Sequence, residues 1–455
     1  MMDATLFPDR DSEGSPRAAE RRDTIIALST ARGRAAVAVI RLSGPQAGPA
    51  LDLLAGARPA PRRAAYRSFR RPCDHEILDR GLALWLPGPA SATGEDVAEL
   101  HIHGGPAVIS AVLDAALAVP GVRMAEAGEF TRRAFLAGRM DLAEVEGLAD
   151  LLEAETEAQR RQALRQSSGE LSARVEAWRE RLVGAMAQIE AAIDFSDEGD
   201  VPDGLRERAR GEIESLAVDL AAALADTRAE RLREGFRVAI VGPPNAGKSS
   251  LLNLLARRDA AIVADMPGTT RDVIETYLDL GGVPVIVVDT AGLRESSDAA
   301  EQEGVRRSAA QARTADLVIW LEDAADPVEP AVEGAAGLWR VANKADLAGA
   351  GRGRADHFIS VRSGVGVERL IAALTAAAQE GTSGEAAGLT RARHRDALQA
   401  ALVALDACRN GWDALPDELA AELLRQAAAE LGRVTGRVGV EDVLDRVFAT
   451  FCIGK

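Results

Sequence analysis

Cysteine is scarce: three residues in 455, at positions 73, 408 and 452, an odd number with no C-x-x-C spacing. That pattern excludes a disulfide framework and a thiolate zinc site, and it fits a reducing cytoplasm. Aromatic residues make up 4% of the chain. The basic doublets Arg62-Arg63, Arg70-Arg71, Arg132-Arg133 and Arg160-Arg161 therefore lack the interleaved rings of a base-stacking surface and read as solvated faces. No stretch approaches the roughly 18 uninterrupted apolar residues of a membrane helix, so no membrane role is expected. Positive charge is also in deficit, with 54 Lys and Arg against 70 Asp and Glu, a net charge of -16. The field of the whole chain repels nucleic acid, so a polynucleotide partner needs a local basic patch or a second, basic subunit.

What is present is globular: 47% hydrophobic and 27% charged residues, on a length that suggests about three domains. Residues 1–22 are polar, mixed in charge and without an apolar centre, and are expected to form a disordered tail. From Thr24 to about Gly105, blocks such as TIIALST, AAVAVIRLSG and VAELHIHGG, punctuated by Gly and Pro, predict a strand-rich α+β domain over 23–138. From Asp141 the chain turns to Ala, Glu, Leu and Arg with apolar residues at helical spacing. Between FRVAIVG and IAALTAAAQE, short apolar strands alternate with helical stretches, the pattern of a parallel sheet with covering helices. GTSGEAAG at 381–388 reads as a linker, after which helices resume. The expected fold is a multidomain α/β chain in which a Ras-like P-loop domain (233–380) is inserted into a discontinuous helical domain (139–232 and 381–455).

The segment VAIVGPPNAGKSSLLNLLA matches G-x-x-x-x-G-K-S from Gly242 to Ser249, after a predicted strand and at the start of a predicted helix. Gly242 and Gly247 let backbone amides turn toward phosphate, Lys248 neutralises the β and γ phosphates, and Ser249 is a Mg²⁺ ligand. PGTTRD (267–272) supplies Thr270 as a second Mg²⁺ ligand, and VIVVDTAG ends in the acidic Asp289 and a γ-phosphate-sensing Gly292. NKAD (343–346) supplies Asp346, whose carboxylate accepts the N1–H and exocyclic amine of guanine, with Asn343 and Lys344 holding the loop. The order of motifs points to GTP rather than ATP. The expected GTP contacts also include Asn245, Ala246, Ser250, Thr269, Thr290 and Ala291. Ser360 stands where a fifth, weaker motif belongs, with Val361 where Ala is more usual. Leu293 follows DTAG and cannot orient a water as a glutamine does, so another group must. Glu295, Asp298, Glu301 and Glu303 are the nearby candidates, and spacing favours none; Asn245 by itself reads as a turn residue.

Two further features have competing readings. His101 and His103 sit two apart on a strand, so they share a face, but without a third ligand at metal spacing they read as hydrogen-bonding residues. The terminal FCIGK places Cys452 fourth from the end, as in a prenylation signal. Gly454 at the second aliphatic position and a final Lys455 argue against that, as does the missing upstream polybasic run.

Taken together, DTIIALST, VIRLSGP, TGEDVAELHIHGG, AGEFTRRAFLAGRMDLAEVEGLADL, IDFSDE, GPPNAGKSSLLN, PGTTRD, DTAGLRE and FCIGK resemble the MnmE (TrmE) family of tRNA-modification GTPases from Asp23 to Lys455. The resemblance implies a potassium-activated GTPase, with K⁺ held by Asn245 and by Ala264, Met266 and Thr269 of the loop around Gly268. It implies that Glu301 orients the attacking water, which answers the problem posed by Leu293. It further implies an N-terminal domain that binds a tetrahydrofolate derivative (5,10-methylene or 5-formyl) through Arg41, Glu99, Arg139 and Lys455. Arg139 departs from the usual lysine, and Ala92 replaces an aromatic usual before TGED. The implied product is an aminomethyl or carboxymethylaminomethyl group at C5 of the wobble uridine of certain tRNAs. It is made with an MnmG-type partner that brings FAD and most of the tRNA surface, by a homodimer joined through its N-terminal domains. Cys452 is the implied catalytic thiol of the tail, its role unassigned. The competing reading is a ribosome-assembly or signalling GTPase switch, which has no need of the N-terminal domain or the terminal cysteine.

Overall fold

The computed structural model describes residues 23–194, 204–258, 274–289, 311–330, 337–347, 354–384, 388–438, 444, 447–449, 451 and 454. Contacts divide the chain into one unit of 1–141 with 440–455 and a second of 142–439.

The first unit is built on strands β1 (Thr24–Leu28), β2 (Ala35–Ser43), β3 (Ala65–Arg70), β4 (Ile77–Leu86), β5 (Val97–Gly104) and β6 (Val122–Met124). Helices α1 (Ala47–Ala55) and α2 (Pro106–Leu117) connect strands, and α3 (Glu129–Leu136) follows β6. The sheet order is β3-β4-β5-β2-β1-β6, antiparallel except for the β1–β6 pair. Strand alternation decides which side chains meet. Ile40 and Leu42 of β2 and Leu100 and Ile102 of β5 join Leu51 and Leu54 of α1 and Val112 of α2 in the core. Arg41, Glu99 and His101 take the opposite face, and the register sets Arg41 beside Glu99.

The terminal segment was expected to travel with the helical domain, but its described residues pack inside the first unit. Phe448 and Phe451 are buried, with the Phe448 ring 6.3 Å from Phe135 of α3 and 6.2 Å from Phe451. The Ser29 hydroxyl donates to the Gly454 carbonyl at 3.1 Å. Two large apolar rings this near the chain end need a core to bury in, and α3 provides it.

The second unit opens with helices α4 (Leu142–Glu153), α5 (Glu157–Ser167), α6 (Glu170–Asp194), α7 (Leu205–Ala225) and α8 (Arg228–Glu234). The parallel layer follows: β7 (Phe236–Val241), α9 (Lys248–Arg258), β8 (Ile274–Leu280), β9 (Val283–Asp289), β10 (Leu317–Asp323), β11 (Leu338–Asn343), β12 (His357–Phe358) and α10 (Val367–Thr382). Helices α11 (Ala392–Gly411) and α12 (Asp417–Thr435) return the chain to the helical layer. Leu171, Leu182 and Ile189 of α6 share one core with Ile213, Leu216 and Leu220 of α7, Leu398 and Leu405 of α11, and Leu424 and Leu431 of α12. The intervening strands have their own core, around Val238, Ile240, Leu251, Val285, Ile319, Val341 and Leu370. Helices from both sides of the parallel layer thus close a single bundle, as the insertion requires.

A buried ion cluster fastens that closure. Glu146 of α4 is 1% exposed and His394 of α11 is fully buried. Arg393 donates from Nε to Glu146 Oε1 and from Nη2 to Oε2, both at 2.5 Å, and His394 Nε2 lies 2.8 Å from Oε2. Burial by itself would raise the Glu146 carboxyl; the hydrogen bonds from His394 and Arg393 outweigh it and hold the group at about 2. The ordinary value is 4.5 and the folded value about 2, so this stabilisation is complete above the first and lost on descending to the second. Urea unfolding followed by tryptophan fluorescence, to which Trp178 and Trp412 of the bundle contribute, will show stability falling across that acid window. Glu146→Gln will flatten the dependence there and lower stability at neutral pH by about 3 kcal/mol, because it leaves a guanidinium unpaired.

Candidate functional site

The sheet of the second unit runs β12-β11-β10-β7-β9-β8, with all neighbours parallel except β8 against β9. The chain passes outward from β7 on one side and returns to β10 on the other, so the carboxyl ends of β7 and β10 flank a topological switch point, where such sheets bind ligands. Gly242 follows β7, Asp289 ends β9 and Asn343 ends β11. Gly242, Asp289 and Asn343, spread over about a hundred residues of sequence, thus come from one edge of the sheet.

The phosphate loop is shaped by contacts that a side chain would break. Gly242 has φ 152°, and a Cβ there would stand 2.0 Å from the Leu321 carbonyl of β10. Gly247 has φ 101°, and its Cβ would stand 2.5 Å from Asn343 Nδ2. Asn245, between them, is left-handed at φ 62°. Lys248 opens α9, and its Nζ donates to the Gly242 carbonyl at 2.8 Å and the Pro243 carbonyl at 2.9 Å. The ammonium therefore lies against the loop backbone, with Ser249 and Ser250 in the first turn of a helix whose amino end favours anions.

Asn343 joins the phosphate loop to the loop that follows β11 and to Val361. Its Nδ2 donates to the Ala246 carbonyl at 2.8 Å and its Oδ1 accepts from the Val361 amide at 3.1 Å, in a site only 4% exposed. Because the contact uses the backbone of Val361, valine serves there as well as alanine. Lys344, left-handed at φ 63°, donates from Nζ to Asp323 Oδ2 at 2.7 Å. A hydrogen bond from the buried Ser360 lowers the Asp346 carboxyl below its ordinary range. Sequence reasoning missed Asp323. The available signal was its place as the last residue of the strand LVIWLED, where a carboxylate comes from the same sheet edge as NKAD.

In the first unit, Arg41 and Glu99 are paired rather than separate. Arg41 Nε donates to Glu99 Oε1 at 2.9 Å, and His101 Nε2 lies 3.2 Å from Glu99 Oε2. The Arg41 guanidinium stands 5.9 Å from the Phe130 ring. Arg139 is exposed in the turn after α3 and packs beside Gly94, and Ala92 is exposed in the same loop. His103 pairs through Nδ1 with Asp79 at 2.8 Å, so the two histidines hold separate carboxylates. No group of three or more metal-ligating side chains occurs among the described residues. Ala264, Met266, Thr269, Thr270, Thr290, Ala291, Gly292, Leu293, Glu295, Asp298, Glu301, Glu303, Cys452 and Lys455 lie outside the described residues, as does the side chain of Asp289.

Removing the Asn343 amide cuts both ties at once. Asn343→Ala is expected to weaken binding of a fluorescent GDP by about tenfold or more, since two buried hydrogen bonds of ~1 kcal/mol each are lost. A titration that gives the parent affinity would refute this role for the tether.

The comparisons with known proteins cover the same ground. A model of the MnmE helical domain matches residues 142–452, and one described as GTP-binding protein TrmE N-terminus matches residues 24–139. A tRNA modification GTPase MnmE from Azorhizobium caulinodans is 56% identical over 434 residues, covering 95% of this chain and 99% of its own. The corresponding protein of Methylorubrum populi is 54% identical, covering 96% and 98%, and that of Parvibaculum lavamentivorans 55%, covering 95% and 100%. With identity above half along nearly the whole length, and with the switch-point cradle carrying the nucleotide motifs, the chain belongs to the MnmE family of tRNA modification GTPases.

Proposed function

We propose that the protein is a potassium-activated GTPase that works with a flavin-binding partner. Together they add an aminomethyl or carboxymethylaminomethyl group to C5 of the wobble uridine of certain tRNAs. The observation that carries the reading is one chain holding both a phosphate cradle tied to its base loop by Asn343 and, in its first unit, Arg41 and Glu99 presented on one sheet face. The alternative of a bare GTPase switch leaves that first unit without a role.

In this reading Lys248 and the amides of the cradle bind the GTP phosphates, Ser249 and Thr270 hold Mg²⁺, and Asp346 selects guanine. Asn245 is exposed at the rim of the loop, and an amide oxygen is a hard donor suited to K⁺. With Ala264, Met266 and Thr269 it forms the proposed monovalent site, where a cation offsets charge developing on the β and γ phosphates. Glu301 orients the attacking water. Folate chemistry supplies the one-carbon unit when the cofactor is bound. Glu99, only 15% exposed, already accepts from two N–H groups, those of Arg41 and His101. That acceptor pattern suits the paired N–H donors of a pterin, and Arg41, Arg139 and Lys455 suit the carboxylates and carbonyl of a folate. Cys452 belongs to the same tail as Lys455 and is proposed to serve the modification step.

A negative chain leaves most tRNA contact to the partner, which also brings FAD. The protein is proposed to act as a cytoplasmic homodimer joined through its N-terminal units. Among the described residues, no helix is long and apolar enough to cross a membrane.

GTP turnover is expected to rise about tenfold or more in K⁺ over Na⁺ at equal ionic strength, and equal rates would refute the monovalent site. In cells carrying Cys452→Ser, nucleoside mass spectrometry should show loss of the wobble modification while the purified variant hydrolyses GTP at the parent rate. Retained modification would remove the thiol from the chemistry.

A further inference from the structure

The parallel layer is connected to the helical layer by two chain crossings, and both end on the same carboxylate. Arg233 lies in the last turn of α8, immediately before β7 and the phosphate loop. Arg391 is the N-cap of α11, the first helix after the parallel layer. Arg233 Nε donates to Asp150 at 3.1 Å and Arg391 Nη2 at 2.7 Å, both to the same oxygen, Oδ1. Asp150 is on α4, one turn beyond Glu146, and its side chain is 11% exposed. Burial raises its carboxyl above the ordinary range while Arg391 and Arg233 pull it down, so the charge depends on the two guanidiniums. They in turn are tolerated so near each other because the carboxylate lies between them.

The two partners differ in freedom. Arg391 has a second acceptor near: its buried Nε makes no hydrogen bond and stands 3.7 Å from Glu146 Oε1. Glu146 is itself fastened to α11 through Arg393 and His394, so α4 and α11 hold together whatever Asp150 does. Arg233 is then the partner that can separate. Around it the ties are polar: Gln159 Nε2 donates to the Arg233 carbonyl at 3.1 Å and Gln162 Nε2 to the Ala229 carbonyl at 2.8 Å. A cleft lined by Gln162, Arg165, Arg228 and Thr390 together with Leu171 and Leu232 opens beside the two crossings. The packing of α8 is incomplete at that cleft, although Leu232 is buried, and its ties to α5 are hydrogen bonds that a small displacement can stretch.

From this geometry we infer that Asp150 is a positioning residue that couples the nucleotide-binding layer to the helical layer, by holding Arg233 at the entry crossing against Arg391 at the exit. It touches no substrate. A change of nucleotide that moves β7 and α8 pulls on Arg233, and Asp150 passes that displacement to α4. The inference rests on the reading that GTP hydrolysis drives tRNA modification.

The test uses the full chain with its flavin-binding partner. Asp150→Asn and, separately, Arg233→Gln should hydrolyse GTP with kcat and KM within about twofold of the parent, while the GTP consumed per uridine modified rises about tenfold or more. The double variant should be no worse than either single one. Hydrogen exchange supplies a readout that does not depend on modification. Replacing GDP by a non-hydrolysable GTP analogue should change protection in β7 and α9 of all proteins, but in α4 of the parent alone. If hydrolysis and modification fall in parallel, or if α4 of Asp150→Asn still responds to the nucleotide, the inference is wrong. Arg233→Gln leaves Asp150 paired with Arg391, so it decides the matter should Asp150→Asn fold poorly. If the parent itself modifies no uridine, the proposed function fails, and the exchange of α4 alone decides the coupling.

Discussion

The second unit depends on one buried carboxylate, Glu146. It accepts three hydrogen bonds from residues 247 and 248 positions later in the chain. Between those positions the chain leaves the helical layer, builds a six-stranded sheet and returns. Such an excursion costs loop-closure entropy that the local propensity of α4 or α11 does not offset. The apolar bundle of α6, α7, α11 and α12 supplies the bulk of the closure, and the ion cluster supplies its register, because a fork of guanidinium and imidazole fits one carboxylate in one orientation.

From that anchored frame the nucleotide site follows as a matter of strand ends. A parallel sheet delivers the carboxyl ends of its strands to one edge, so residues separated by long intervals meet without a dedicated scaffold. The close approach of Gly242 to β10 and of Gly247 to Asn343 packs the phosphate loop against the base loop. The buried amide of Asn343 then makes the two loops one object. Rigidity of this kind favours binding, since less ordering remains for the ligand to impose.

The first unit uses a different device. Its antiparallel strands put apolar side chains on the α1 and α2 side and leave Arg41, Glu99 and His101 on the other. A terminal segment folds back into the same unit by burying Phe448 and Phe451. This gives Phe448 and Phe451 a fixed place by ordinary apolar burial, with a polar tie from Ser29 to Gly454. The described residues of the tail thus belong to the unit that presents Arg41 and Glu99.

The sequence by itself determined the local chemistry. The glycine spacing of the phosphate loop, the NKAD carboxylate and the apolar periods of strands and helices are properties of short windows, in which each residue's role depends on near neighbours. It also determined the insertion, because helical composition resumes after the linker. Three things only tertiary structure decided. Arg41 and Glu99, 58 positions apart, are a pair because strand register sets them side by side. Asp323 holds Lys344 because β10 and β11 are parallel neighbours. Asp150 receives both crossings of the inserted layer because helix packing sets the end of α8 and the start of α11 beside α4. Register, strand order and helix packing are collective results of burial, and no single window of sequence contains them.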